Sequence, residues 1–341
     1  MKKFQFVFIA LVLLSINNYN CKSQTVSDYK ITNRFYLEGE GSWDYLIVDT
    51  ASERLFISHS TVTQVMDIKT GKLIHTIEDT KGVHGIALAY DLNKGFISNG
   101  KDSSVTVFNL KTFEVLIKIP VTGKNPDAIL YDEFTHKVFT FNGRSSNATV
   151  IDAKTNTVIA TIPLEGKPEF AVADGYGKIY VNIEDKSDLC CINSDKMTVE
   201  KYWSLAPGKE PSGLAFDAKN HYLFSACDNK LMIISDALTG TVLKKLSIGE
   251  SVDGAAFDAP TNTAFSSNGD GTVTVIQEKP KDDFEVVSTV TTEKWARTIA
   301  LDCKTHKLYL PTKEVDETSV KYKDAHPGSL PGKFVILEIS K

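Results

Sequence analysis

The stretch that decides the fold begins at Gly123-Lys124-Asn125-Pro126-Asp127-Ala128 and ends at Thr161-Ile162-Pro163-Leu164. Between these ends, short runs of β-branched and aromatic residues alternate with turn residues such as Asn142-Gly143 and Asp152-Ala153-Lys154-Thr155-Asn156. The runs are typical of strands, and the turn residues are typical of the hairpins that join them. The stretch therefore predicts four short antiparallel strands.

Related segments recur along the chain. Asn125-Pro126-Asp127-Ala128-Ile129 has clear counterparts in Lys167-Pro168-Glu169-Phe170-Ala171 and Glu210-Pro211-Ser212-Gly213-Leu214, and weaker ones elsewhere. One position is common to all seven segments, and its occupants are Asp44, His84, Asp127, Glu169, Ser212, Asp253 and Arg297. Successive occupants are 40, 43, 42, 43, 41 and 44 residues apart. A period near forty with four strands per unit predicts an all-β protein, a seven-bladed β-propeller.

The blades are predicted to begin near residues 41, 82, 123, 165, 208, 250 and 294, in a propeller spanning residues 29–341. The last unit shows strands at Thr298–Leu301, Lys307–Leu310 and Phe334–Ile339 but no fourth strand. Residues 30–39 resemble the last strand of a unit, so we predict that this N-terminal strand completes the last blade. Closure of the ring would remove two open sheet edges.

One polar insertion, from Pro311 to Gly332, interrupts the last unit between its second and third strands. Such a loop is either a lid or docking segment or a connection without a function of its own.

Residues 1–24 are predicted to be a secretory signal peptide. Lys2-Lys3 supply its positive end, and Phe4 to Ile16 form an apolar core of thirteen residues. That core is too short to span a bilayer comfortably. We expect cleavage near Ser23-Gln24, with a lipid anchor on Cys21 as the alternative. The protein is then expected in the periplasm or outside the cell, as a monomer without a transmembrane helix.

The formal net charge is −5 and the chain has no basic run. This balance argues against nucleic acid as a partner, because phosphate binding needs clustered Lys and Arg. Beyond the signal, the cysteines are Cys190, Cys191, Cys227 and Cys303. Their spacing indicates neither a disulfide framework nor a metal knuckle, so small buried hydrophobic residues are expected.

The geometry of the predicted ring indicates that the candidate site lies at one end of the central channel. The first strand of a propeller blade lines the central channel, and the second strand runs antiparallel to it, so the seven repeated positions are predicted to surround one channel mouth. The ends of the second strands should lie nearby, and they add His59, Asn99, Asn142, Asn182, Cys227, Asn268 and Thr312.

Four carboxylates, an arginine and two histidines at one mouth allow several interpretations. Crowded carboxylates raise one another's pKa unless a cation or Arg297 compensates. The first interpretation is a site for a divalent cation or for a polar ligand, cationic or neutral, with metal ligands drawn from Asp44, His84, Asp127, Glu169 and Asp253. Oxygen ligands suit calcium or magnesium, and histidine admits zinc, copper or iron. The second is that each residue caps its own blade.

Motifs for catalysis are absent from the sequence. It has no Gly-x-Ser-x-Gly, no His-Glu-x-x-His, no phosphate-binding loop and no Cys-x-x-Cys-His. No catalytic residue and no cofactor other than a divalent cation is therefore assigned.

From about Gly39 to Ile339 the chain resembles the YncE-like propellers of bacteria, which are built from YVTN repeats of the cytochrome D1 type. The repeat name is nearest to Lys178-Ile179-Tyr180-Val181-Asn182, and Trp43-Asp44-Tyr45 and Ala296-Arg297-Thr298 resemble a secreted subgroup. The resemblance implies the propeller fold and links to surface layers, extracellular binding and single-stranded DNA. Related propellers include lactonases and haem d1 enzymes, but the cytochrome c domain of the latter is missing here.

Three functional hypotheses follow. The preferred one is a non-enzymatic binding module whose mouth holds a small molecule, an ion or a protein loop. The second is a metal-dependent hydrolase of the lactonase type, with His84 as general base. The third is a protein-interaction scaffold that uses blade edges or the Pro311–Gly332 loop.

Overall fold

The computed structural model describes residues 29–315 and 332–341. These residues form seven four-stranded antiparallel sheets arranged as the blades of a propeller. The predicted signal peptide and Cys21 lie outside the described residues.

The strands follow one another along the chain with short turns between them. The first, β1 (Lys30–Leu37), precedes blade 1. Blades 1 to 4 consist, in chain order, of β2 (Trp43–Asp49), β3 (Arg54–His59), β4 (Val62–Asp67), β5 (Leu73–Ile77), β6 (Val83–Ala89), β7 (Lys94–Asn99), β8 (Ser104–Asn109), β9 (Val115–Pro120), β10 (Pro126–Asp132), β11 (Lys137–Asn142), β12 (Asn147–Asp152), β13 (Thr157–Pro163), β14 (Pro168–Ala173), β15 (Lys178–Ile183), β16 (Asp188–Asn193) and β17 (Thr198–Ser204). Blades 5 to 7 consist of β18 (Pro211–Asp217), β19 (Tyr222–Cys227), β20 (Leu231–Asp236), β21 (Val242–Ser247), β22 (Val252–Asp258), β23 (Thr263–Asn268), β24 (Thr272–Lys279), β25 (Asp283–Thr291), β26 (Ala300–Asp302), β27 (Lys307–Val315) and β28 (Gly332–Ser340).

The hydrophobic core is divided among the contacts between blades. Along β11, Phe139 and Phe141 pack in a cluster shared with blade 4, whereas Val138 packs toward blade 2. Successive side chains of a strand point to opposite faces, so a strand covered on both faces is apolar at nearly every position. The described residues contain seven such clusters, one at each contact between neighbouring blades. Each large side chain buried there stabilises the fold by ~1.5–3 kcal/mol.

The N-terminal strand closes the ring, as predicted. β1 pairs antiparallel with β28, so that Lys30 lies opposite Ser340 and Leu37 lies opposite Phe334. The order of strands in blade 7 is therefore β26-β27-β28-β1. The guanidinium of Arg34 reinforces the closure through ion pairs with Glu314 of blade 7 at 3.1 Å and with Glu293 of the segment before that blade at 2.7 Å.

Blade 7 differs from the sequence prediction in two places. Its first strand is β26, which begins later than the predicted strand at Thr298–Leu301. The predicted insertion was placed too early, since β27 continues through Pro311 to Val315 and pairs with β28 as far as Gly332. The reason is that backbone pairing extends into a polar segment whose composition alone indicates a loop. The rest of the predicted loop, residues 316–331, lies outside the described residues.

In the part of the chain that the structure describes, strands are connected at the ends of blades by three short 3-10 helices, Tyr90–Leu92, Glu184–Lys186 and Ala259–Thr261. Within residues 29–315 and 332–341, no helix is long and apolar enough to cross a bilayer.

The cysteines are packing residues, with one exception. Cys190 and Cys191 lie in clusters on opposite sides of blade 4, as neighbours on a strand must. Cys227 is also buried. Cys303 is exposed, because it lies in the turn after β26, so the expectation of burial was wrong there. These four cysteines form no disulfide.

Candidate functional site at the channel mouth

The first strands of the blades surround the central channel. β2 contacts β6 and β26, and the other first strands contact their neighbours in the same way. The seven repeated positions lie at, or just before, the starts of these strands, and hence at one end of the channel. Side-chain hydroxyls of adjacent blades fix their backbone: Ser98 donates to the carbonyl oxygen of Asp127 at 2.5 Å, and Thr298 donates to that of Asp44 at 2.8 Å.

One group of mouth residues is centred on His84. Its Nδ1 lies 2.5 Å from Asp44 Oδ2 and 3.7 Å from Asp127 Oδ1. Burial disfavours the imidazolium, but the hydrogen bond to Asp44 and the charge of Asp127 outweigh burial and raise the pKa of His84 to about 9. A side chain at Gly100 would collide with this imidazole, since a Cβ there would lie 2.5 Å from His84 Nε2. At neutral pH, His84 is therefore a cation held between two aspartates.

The Asp127 carboxyl is largely buried beside this imidazolium. Burial is the main cause that raises its pKa to about 6, and the charge of Asp44 adds to it, although His84 opposes the shift. The amide of Asn125 donates to Asp127 Oδ2 at 3.4 Å and also bonds the side chain of His84. Asn125 thus joins the two titratable groups.

A second group is centred on Glu169, which has only 10% of its side chain exposed. Burial is the main cause that raises the pKa of Glu169 to about 8, and the charge of Asp127 acts in the same direction. Lys167 Nζ lies 2.6 Å from Glu169 Oε1 and also pairs with Glu184, so one ammonium serves two carboxylates.

A third group contains Asp253, Ser212 and Arg297. Ser212 donates to Asp253 Oδ1 at 2.7 Å, and Arg297 Nε lies 3.1 Å from Asp253 Oδ2. Burial raises the pKa of Asp253, although the Arg297 charge opposes the shift. Beside this pair is a pocket of about 60 Å³ whose lining includes Trp43 and Trp295.

The backbone before the mouth positions turns sharply. Trp295 has φ of 65°, and Asn125, two residues before Asp127, has φ of 56°. Left-handed backbone is common for Asn and uncommon for a bulky aromatic residue, and Glu210 and Ser251 adopt it at the same place in their repeats. The turn at Trp295 accompanies the cation–π contact between its ring and Arg297, whose guanidinium carbon lies 5.8 Å from the ring centroid.

Two aromatic rings form the floor of the mouth. Tyr45 and Phe170 directly follow Asp44 and Glu169, and their ring centroids are 5.3 Å apart in an edge-to-face arrangement. They belong to blades 1 and 4, which are not neighbours, so the contact crosses the channel. Burial raises the pKa of Tyr45 well above its usual value, and the charges of the mouth carboxylates add to the shift.

All seven predicted second-strand residues are buried and are not available at the mouth surface. The Asn99, Asn142 and Asn268 amides are fully buried, and each donates to a side chain at the start of the third strand of the same blade, as in the 2.8 Å bond from Asn142 to Asn147. In each case the partner is a Ser, Asn or Thr that lies four or five residues after the asparagine, across the turn between the second and third strands. This spacing in the sequence was a signal for a hydrogen bond within the blade.

The remaining second-strand residues are also buried. Asn182 donates to the Ser212 carbonyl oxygen at 3.0 Å, and His59 Nδ1 lies 3.0 Å from Gln64 Oε1. Cys227 packs in the core and makes a 3.6 Å bond from its thiol to the carbonyl oxygen of Ser225. Thr312 donates to the Lys294 carbonyl oxygen at 2.9 Å. These buried side chains stabilise the backbone near the mouth and do not line its surface.

The five predicted metal ligands separate into groups. Ligand atoms of Asp44, His84 and Asp127 all lie within 4.8 Å of one another, and this is the cluster of metal-ligand type found among the described residues. Glu169 is paired with Lys167, and Asp253 with Arg297.

Sequence reasoning missed several side chains at the mouth. Lys167 and Asn125 each lie two residues before a repeated position, and both bind the side chain at that position. This spacing within the repeated segment was a usable signal. No local pattern indicated Glu184 or the meeting of Tyr45 with Phe170, because each of these contacts joins separate elements.

These features define the protein as a seven-bladed β-propeller with a polar channel mouth. No protein-family model and no curated protein matches the sequence. Among solved structures, the chain is similar to "Structure of U3-55K", with a TM-score of 0.75 and 10% identity over 90% of this chain and 99% of that one. It is equally similar to "Crystal structure of RRP9 WD40 repeats", with a TM-score of 0.75 and 9% identity over 90% and 98% of the two chains. Likeness at such identity shows the fold alone, which is that of WD40-repeat propellers.

Proposed function

We propose that this propeller is a YncE-like binding module, exported from the cell, whose acidic mouth holds a cationic group of its ligand. One observation carries the proposal. In the ion pairs of residues 29–315 and 332–341, five carboxylates of the mouth share three cationic side chains: Asp44 and Asp127 pair with His84, Glu169 and Glu184 with Lys167, and Asp253 with Arg297. A largely buried excess of carboxylates attracts a cation or retains protons.

Protons supply the missing charge in the unliganded mouth. The pKa values of Asp127 and Glu169 are raised to about 6 and about 8, so Glu169 keeps its proton through neutral pH and Asp127 keeps its proton up to about pH 6. An entering cation would displace those protons. Affinity for a cation should therefore rise as pH increases from 6 to 8, with protons released on binding.

The test is a thermal-melting screen of Ca²⁺, Mg²⁺, Zn²⁺ and small organic ammonium ions at several pH values. The double variant Asp127→Asn, Glu169→Gln should lose any melting shift that the wild type shows. A matched control, Asp195→Asn with Glu200→Gln, makes the same charge change at the turn and outer strand of blade 4 and should keep the shift. No shift with any cation, or an equal shift in the double variant, would overturn the proposal and favour the scaffold hypothesis.

A metal-dependent hydrolase is the second candidate, and the convergence of Asp44, His84 and Asp127 favours it. The pKa of His84 limits this reading. With a pKa of about 9, His84 is protonated at neutral pH and cannot accept a proton from water. A metal would have to replace that proton, and His84 would then be a ligand rather than the general base.

Metal analysis separates the two candidates. Protein purified without chelator should be measured for bound Ca²⁺ and Zn²⁺ beside His84→Gln, together with lactone hydrolysis. Stoichiometric metal that is lost with His84, accompanied by hydrolysis, favours the enzyme. Binding of organic cations without hydrolysis favours the binding module.

Export is proposed from Lys2-Lys3 and the apolar segment Phe4 to Ile16. The mass of protein recovered from the periplasm tests it. A mature form beginning near Gln24 supports the proposal, a lipid on Cys21 supports the anchored alternative, and retention of the full chain in the cytoplasm contradicts both.

A further inference from the structure

We propose that the central channel beneath the mouth is a second binding chamber, for a small uncharged heteroaromatic molecule that enters from the face opposite the acidic residues. This inference is independent of the proposed cation site, because its residues and its entrance are different.

The channel has the size and composition of a ligand chamber. Its volume is about 390 Å³, and none of its lining side chains is charged. The lining consists of aliphatic residues, alanines, a glycine, Phe170 and three tyrosines. Chambers that bind small molecules are mostly apolar and of a similar volume.

Tyr45 and Phe170 separate this chamber from the mouth. Their contact crosses the channel directly below Asp44 and Glu169, as described above. An apolar molecule in the channel is thereby screened from the carboxylates, and a cation at the mouth is kept out of the apolar space. On this proposal the two sites share this wall and open at opposite ends of the channel.

The opposite end of the channel carries the other two tyrosines of the lining. Tyr90 is 47% exposed, which places it at an open end. Tyr131 is held in place because its hydroxyl lies 2.9 Å from a carboxylate oxygen of Asp91 and 2.9 Å from His136 Nδ1. A fixed ring and an exposed ring at one entrance suit the stacking of a flat guest.

Size and polarity select the class of guest. An apolar cavity of about 150 Å³ holds one benzene, so this chamber admits a bicyclic ring system. A charged guest would have no partner among the lining side chains and would be excluded by desolvation. The first strands are also the terminal strands of their sheets, so their inner edges offer unpaired backbone groups to the ring atoms of a guest.

Calorimetric titration with indole tests the proposal, with indole-3-acetate as the charged comparison. Indole should bind with a dissociation constant below about 1 mM, and indole-3-acetate should bind at least about tenfold more weakly. Ala256→Phe, which fills the channel, should weaken indole binding by at least about tenfold. Ala160→Phe on outer strand β13 adds the same ring outside the channel and should leave the binding unchanged.

Crystals of the wild-type protein soaked with 5-bromoindole give a second measurement that does not depend on the folding of a variant. A bromine signal inside the channel is expected. Absence of indole binding, a bromine signal elsewhere on the protein, or undiminished binding in folded Ala256→Phe would overturn the proposal. The cation screen at the mouth can succeed or fail without affecting any of these outcomes.

Discussion

Replacement of Glu169 by glutamine should remove a large part of the pH dependence of stability. Glu169 is almost fully buried, and burial together with the Asp127 charge raises its pKa from 4.5 to about 8. In the unfolded chain the carboxyl releases its proton near pH 4.5, whereas in the native protein it keeps the proton until about pH 8. The native state therefore binds more protons across this window, and its stability falls as pH rises.

The magnitude follows from the size of the shift. One pKa unit corresponds to about 1.4 kcal/mol, so the full shift of Glu169 amounts to about 5 kcal/mol of stability lost between pH 4.5 and 8. Glutamine keeps the shape and a hydrogen-bond acceptor for Lys167 but does not titrate. Relative to the wild type, Glu169→Gln should gain stability steadily from pH 5 to pH 8, by about 3–4 kcal/mol, because this range covers most of the shift but not all of it.

Urea unfolding at pH 5, 6, 7 and 8, followed by tryptophan fluorescence, measures this difference. Glu200→Gln is the matched control in the same blade, since Glu200 also pairs with a lysine, but that pairing lowers its pKa. Its stability difference from the wild type should be constant over the range. Parallel pH profiles for wild type and Glu169→Gln would refute the assignment of a buried, proton-retaining carboxyl at the mouth.

Three further predictions concern closure, support and reactivity. Phe35→Ala should lower the free energy of unfolding by about 3–5 kcal/mol, because Phe35 of β1 is buried against blade 1; a loss below 1 kcal/mol in denaturant titration would contradict a structural role for the closing strand. Asn142→Ala should cost about 1–3 kcal/mol by removing the two buried hydrogen bonds that the Asn142 amide donates to Asn147 and Thr149, without changing any cation-induced melting shift. In the native protein, a thiol reagent should label Cys303 and leave Cys190 unmodified, as peptide mass mapping would show; labelling of buried cysteines at the same rate would contradict the packing described.

Much of the fold was predictable because every blade buries its strands between two neighbouring blades in the same way. A strand covered on both faces must be apolar throughout, and the turns between strands favour a few residue types, so the pattern repeats with a period near forty. The missing fourth strand of the last unit and the spare strand at the N-terminus then indicated the closure. The course of β27 beyond Pro311 was not predictable, because polar residues there are held by pairing with β28 rather than by burial.

The candidate site was predictable only as a set of positions. The repeated segments indicated which seven residues would surround one mouth, and nothing in local sequence distinguished His59 or Asn182, which are buried, from His84, which faces two aspartates.

The amino-acid sequence by itself determined the number of blades, the closing strand and the ring of residues at the mouth, because these depend on periodic burial and local turns. The tertiary structure alone decided that His84 lies between Asp44 and Asp127, that Lys167 serves Glu169, and that Tyr45 meets Phe170 across the channel. The physical reason is distance along the chain, because these pairings join side chains of different elements. The proton affinity of the mouth carboxyls and the access of a ligand to them depend on contacts that exist only once the ring is closed.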